Sequence, residues 1–169
     1  MKSRRNRGQA GSVLLEFTLI GIPLMFLVIS IVEMSRGMWV YASVAYAVKE
    51  GTRYASVHGA NCASASSSCP VTLGAIATVV KQAAAGLDPG QFNVTMTAGG
   101  SSTSCAPLST CLSSSTVWPA SPNNSVGIPV KISATYPFNS ALSMFWPGAK
   151  PVAFAAITLG AESQEEILF

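Results

Sequence analysis

Gly11, Ser12 and Glu16 are the residues whose types and spacing offer chemistry. A basic, polar stretch from Met1 to Gly11 gives way to Ser12-Val13-Leu14-Leu15-Glu16-Phe17, the head of an apolar run with one early acid. A carboxylate at the head of a membrane-spanning helix is costly, so a chain that carries one there has a use for it. Ser12 and Glu16, i and i+4, would share a helical face. In lipid a carboxylate and an ammonium both lack hydration, and each gains from a partner.

Other candidates for chemistry are sparse. The sequence has one histidine, His58, and one aspartate, Asp88. No nucleophile elbow, Ser-x-x-Lys, His-Glu-x-x-His or phosphate-loop pattern occurs. Glu165-Glu166 sits near the C-terminus, where a solvated tail is the plain reading. An enzyme is not expected, and neither a catalytic residue nor a cofactor is assigned. Four cysteines fall in two close pairs, Cys62/Cys69 and Cys105/Cys111. A zinc site is disfavoured by the spacing and the lone histidine, so no metal is expected. Four cysteines permit three connectivities; the two local loops, 62–69 and 105–111, are favoured.

The element that must position Glu16 is the apolar run. Val13 to Val32 is 20 residues, about 30 Å as a helix and the thickness of a hydrocarbon core. Its polar side chains are Glu16, Thr18 and Ser30, and Pro23 predicts a kink or loosened turn opposite the carbonyl of Leu19. Lys2, Arg4, Arg5 and Arg7 precede the run with no acid among them. The positive-inside rule therefore keeps the N-terminus cytoplasmic and sends the rest across. Without the first 11 residues, six basic residues stand against seven acidic ones. The net charge of +3 thus belongs to the leader, and nucleic-acid binding has no support.

Three export readings compete. A secretory signal peptide needs a small-residue site soon after its apolar core. The nearest such pattern, Ala45-Tyr46-Ala47, lies beyond Glu33 and Arg36 and is too distant. An uncleaved signal anchor accounts for the run but leaves Glu16 without a role. The third reading is cleavage before the run, with the helix kept as a permanent anchor.

Gly11 followed by Ser12-Val13-Leu14-Leu15-Glu16-Phe17 resembles the prepilin-peptidase site of type IV pilins and pseudopilins, with Glu16 fifth in the mature chain. The resemblance extends through Glu16-Phe17-Thr18-Leu19, Pro23 and Ile31-Val32-Glu33 to Ala45-Tyr46-Ala47-Val48-Lys49-Glu50-Gly51-Thr52-Arg53. That last group is similar to the Ala-rich stretch ending Arg-Glu-Gly-Ala-Arg of TadE-like pseudopilins of the Flp (tight adherence, Tad) pilus. Lys49 and Thr52 are departures from it. The match covers about the first third of the chain; the remainder is similar only in outline, through Tyr136-Pro137-Phe138 and Ala161-Glu162.

The resemblance implies a minor pseudopilin of the cytoplasmic (inner) membrane, with a periplasmic head, that takes part in initiating or capping a pilus. It implies as partners a prepilin peptidase, the major Flp-type pilin, a sibling pseudopilin and the inner-membrane assembly platform. It also implies that Glu16 sets subunit register and that Lys49, Glu50 and Arg53 contact an assembly partner. A solvated helix face competes with that last role. The alternative for the whole protein is an uncleaved, membrane-anchored extracytoplasmic binding module.

The expected organisation is a leader (1–11), a transmembrane helix (12–33), an amphipathic periplasmic stalk (34–58) and a globular head (59–169). One long helix from about Val13 to His58 is expected. Its apolar stripe is read as Met34, Met38, Tyr41, Ala45, Val48, Thr52 and Ala55, with Arg36, Ser43, Lys49, Glu50 and Arg53 opposite. Glu33–Arg36 and Glu50–Arg53 are i, i+3 pairs, and Trp39 and Tyr41 suit a membrane interface. The head is read as a helix over Thr72–Ala85 and strands at Gln91–Thr97, Val126–Tyr136 and Val152–Leu159. A loop at 99–125 presents Val117-Trp118-Pro119 as an exposed-aromatic candidate, and a second loop carries Met144-Phe145-Trp146. The fold class is α+β, a long helix packed on a small antiparallel sheet with one further helix.

Overall fold

The computed structural model describes residues 9–60, 62, 69, 71–140 and 156–168. The chain divides into two compact units, one ending at Arg36 and one running from Gly37 to Phe169. Helix α1 covers Gln9–Ser56, and helix α2 covers Leu73–Ala83. Four strands follow: β1 (Asn93–Ala98), β2 (Ser101–Cys105), β3 (Pro129–Asn139) and β4 (Ala156–Glu166). They form one antiparallel sheet in the order β2-β1-β3-β4. The α+β class expected from the sequence is what the chain adopts.

In the unit that starts at Gly37, one face of the sheet is buried. Val94, Met96 and Ala98 of β1 and Val130, Ile132 and Ala134 of β3 alternate with more exposed neighbours, the period-2 pattern of a half-buried strand. Two helices supply the opposing apolar surface, through Val40, Val44, Ala47, Val48 and Ala55 of α1 and Ile76, Ala77 and Val80 of α2. Gly51 marks the closest approach. A Cβ there would collide with Val80 Cγ2 and stand 3.3 Å from Ile132 Cδ1. Glycine at this point lets α1, α2 and β3 meet.

The buried stripe of α1 is the one expected from Val48 through Thr52 to Ala55, but not before it. Met34 and Met38 are each 73% exposed and Tyr41 is 51% exposed. The face that packs is Val40–Val44–Ala47/Val48–Gly51/Thr52–Ala55, a row of small and β-branched residues. Before Val48 both rows have helical spacing, and the one of smaller residues admits a closer layer.

Other boundaries shift for local reasons. Thr72 is the N-cap of α2 rather than its first residue, because its Oγ1 accepts from the Ala75 amide at 3.2 Å. The stretch expected as a loop at 99–125 holds structure. Gly99 and Gly100, both at positive φ, make a two-residue hairpin turn into β2. Beyond β2, a 3-10 turn at Leu108–Thr110 buries Leu108. Trp118 is 5% exposed, not a surface aromatic. Hydrogen bonds from Leu73 N to Thr116 O (2.8 Å) and from Trp118 N to Val71 O (3.1 Å) tie this segment to the start of α2.

The C-terminal segment is likewise no solvated tail. Strand β4 continues through Glu166, and Ile167 is buried. The Leu168 amide donates to the carbonyl of Ser56 at 2.9 Å, closing the last turn of α1. Met144, Phe145 and Trp146, and the first part of the strand expected from Val152, lie outside the described residues.

Candidate functional site

The apolar run falls in the first unit, within α1, and its side chains face outward. From Val13 to Val32 all residues are exposed except the half-exposed Gly21 and Ile29, and the large apolar side chains range from 53% to 76% exposed. The 18-residue window has a mean hydropathy of 2.3, and α1 is long and apolar enough to cross a membrane. A run this apolar on all sides needs an apolar surround. The helix is unbroken through Pro23, so the missing amide there interrupts one bond and not the element.

Polar side chains in and beside the run fold back on the helix. Thr18 Oγ1 donates to Leu15 O (3.0 Å), Ser30 Oγ to Phe26 O (2.8 Å) and Ser35 Oγ to Ile31 O (2.9 Å). Hydroxyls can satisfy themselves this way because they donate. An ionised carboxylate only accepts, and helix carbonyls offer it nothing. Glu16 is exposed and has no hydrogen-bond or ion-pair partner among the described residues. Phe17, 76% exposed, stands next to it with its ring beside Gly21. Gly11 and Ser12 lie within α1, so Ser12 and Glu16 are one turn apart on one helix. The Glu33–Arg36 pair forms, at 3.0 Å.

The Lys49-Glu50-Gly51-Thr52-Arg53 group serves two ends. Gly51 and Thr52 are buried in the core of the second unit. Thr52 Oγ1 donates to Val48 O at 2.8 Å and approaches the Ser163 carbonyl of β4 at 3.5 Å. Lys49 and Arg53 are exposed, whereas Glu50 is half-buried. Lys49 and Arg53, four apart, share a stripe; Glu50 does not lie on it. No Glu50–Arg53 ion pair forms, and among the described residues neither Lys49 nor Arg53 has an acidic partner. The three expected contact residues are thus split.

The residues set aside as isolated candidates for chemistry have structural occupations. His58 Nδ1 lies 2.7 Å from Tyr54 O, so that nitrogen carries the proton and caps the end of α1. Its ring packs on Tyr54 with centroids 4.2 Å apart. Asp88 Oδ1 accepts from the Gly90 amide at 2.8 Å, an Asx turn leading towards β1. Glu165 Oε2 accepts from Ser56 Oγ at 2.8 Å, an anchor between β4 and α1 that the sequence reading missed. Cysteines pair as Cys62–Cys69 and Cys105–Cys111, with Cα–Cα distances of 6.1 and 5.7 Å. Among the described residues no group of three His, Cys, Asp or Glu side chains could hold a metal ion.

No curated protein and no solved structure matches the chain. Residues 11–53 match the TadE-like protein family. That span begins at Gly11, takes in the whole apolar run with Glu16 and Pro23, and ends at Arg53, after the buried Gly51. The likeness to TadE-like proteins thus covers 43 of the 169 residues.

Proposed function

We propose that this protein is a minor pseudopilin of a Tad/Flp-type pilus, cut between Gly11 and Ser12 by a prepilin peptidase. The observation that carries the reading is Glu16, an exposed carboxylate without a partner among the described residues, at the head of an exposed apolar helix. Cleavage supplies the Ser12 ammonium. The carboxylate of one subunit then takes the ammonium of a neighbour, an exchange that fixes axial register in a medium where both charges otherwise go unsolvated.

The helix anchors the chain once in the cytoplasmic membrane. Four leader cations hold the N-terminus inside. The two disulfides of the second unit support an oxidising compartment on the far side. Partners in this scheme are the peptidase, the major Flp-type pilin, a sibling pseudopilin and the inner-membrane platform. The chain initiates or caps the filament.

The test is the N-terminal residue of the membrane-extracted protein from cells with and without the peptidase. A mature chain starting at Ser12 only when the peptidase is present is the expected result. A chain starting at Met1 in both overturns the proposal and leaves an uncleaved, membrane-anchored module.

A further inference from the structure

The two edges of the sheet are built differently. One edge is β2, four residues of Ser and Thr closed by Cys105 and its disulfide to Cys111. Such an edge is short and tied down, the usual protection against pairing with another chain. The other edge is β4, 11 residues with no proline and no lysine, which pairs only with β3 among the described residues; of its three glutamates Glu162 pairs with Lys131 and Glu165 accepts from Ser56. The Ile167 amide donates to Ile128 O. Antiparallel alternation therefore turns the amides of Glu165 and Ser163 towards β3 and those of Glu162, Gln164 and Glu166 to the open side.

Helix α1 runs along this strand. Thr52 Oγ1 approaches Ser163 O, and Ser56 Oγ bonds Glu165. Lys49 and Arg53 each precede one of these contact residues by three positions, so they occupy the neighbouring stripe, one step outward. Both are exposed cations with no acidic partner among the described residues. A strand added to β4 would run past them on its α1-facing side. At the other end of β4, Ile157 is 52% exposed.

We propose that the open edge of β4 docks an extended segment of a partner protein that carries acidic side chains at alternate positions. Main-chain bonds to the outward amides and carbonyls hold the segment, and Lys49 and Arg53 select its charge. A second copy of this chain is the poorer occupant. Its β2 edge is closed, and in an antiparallel β4–β4 pair centred on Ala161 its acids at 162–166 fall opposite residues 160–156 of the first copy, away from Lys49 and Arg53. The inference is independent of cleavage at Gly11.

The test uses the full chain in lipid nanodiscs and a fluorescein-labelled ten-residue peptide of alternating valine and glutamate, followed by fluorescence anisotropy. Two further peptides are controls, one with lysine for glutamate and one with N-methyl groups on alternate backbone amides. The acidic peptide is expected to bind, and the two controls to bind at least about tenfold more weakly. Reversing Lys49→Glu or Arg53→Glu weakens acidic-peptide binding about fivefold each. Gln164→Pro, which removes an outward amide that β3 does not use, abolishes it without moving the thermal unfolding midpoint. Equal binding of the acidic and lysine peptides, equal binding of the N-methylated peptide, or no binding at all overturns the proposal. Material from peptidase-deficient cells gives the same binding, so failure here and failure at Gly11 are read separately.

Discussion

The residues of α1 before Arg36 and those after Gly37 solve opposite problems with the same backbone. The earlier stretch is apolar on every side and buries none of its large side chains. The later stretch has one buried face, Val40, Val44, Ala47, Val48, Gly51, Thr52, Ala55 and Ser56, and leaves Met38, Trp39, Tyr41 and Tyr46 outside. Size separates them more than hydrophobicity does. Leu, Ile, Met and Phe around the whole circumference suit a fluid apolar surround, which needs no shape. Small and β-branched residues on one row suit a sheet and a second helix that must come close. A helix can therefore be amphipathic by volume where it is weakly so by polarity.

The largest test of this contrast is Ile132→Ala, which removes the side chain facing Gly51. It should cost the second unit about 2–5 kcal/mol. The expected result is a large fall in the near-ultraviolet unfolding midpoint with membrane extraction behaviour unchanged. If the membrane behaviour changes too, the two stretches are not independent.

Glu16→Ala should act on the other side of the comparison. On the register hypothesis, insertion and the thermal midpoint stay as they are and piliation is lost. Normal piliation by electron microscopy would remove the register role.

Gly51→Ala separates packing from propensity. Alanine favours a helix by about 1 kcal/mol over glycine, yet the added Cβ meets Val80 Cγ2 and Ile132. Overpacking of this kind costs about 1–3 kcal/mol, so the net expectation is destabilisation in denaturant titration. A stabilised variant would show that the row does not set the approach of the layers.

The smallest effect is expected at the sheet surface. Glu162→Gln breaks the 2.8 Å pair with Lys131, whose partners are 66% and 41% exposed respectively. Its loss should change stability by about 0.5 kcal/mol or less, and less again at high salt.

Much of the fold was legible because it rests on local patterns. The long helix follows from an unbroken apolar run and its continuation. Strand β3 follows from the alternation of Val130, Ile132 and Ala134. Strand β2 was missed since Ser101-Ser102-Thr103-Ser104 has no apolar alternation, and only its pairing with β1, Val94 against Cys105 and Ala98 against Ser101, makes it a strand. A Gly-Gly pair after an alternating run was the available hairpin signal. Trp118 looked exposed because its neighbours are Ser, Pro and Asn. Backbone bonds from Trp118 to Val71 and from Leu73 to Thr116 carry it inside, and nothing within its own segment reports them. Of the candidate site, the Gly11–Glu16 spacing and the Lys49–Arg53 stripe were visible in the residues. Glu165 as an anchor of α1 was not.

The amino-acid sequence alone determined what local energetics determines: a membrane-length helix headed by one carboxylate, a cationic stretch before it, helical and strand periods, and cysteines close enough to pair within loops. Tertiary structure decided which residues of α1 before Val48 are buried, which polar run becomes a strand, and which sheet edge takes no further strand among the described residues. Those choices depend on the volume left between layers and on partners more than a hundred residues away, as between Thr52 and Ser163 or Ser56 and Glu165. Neither quantity is written in a local stretch of chain.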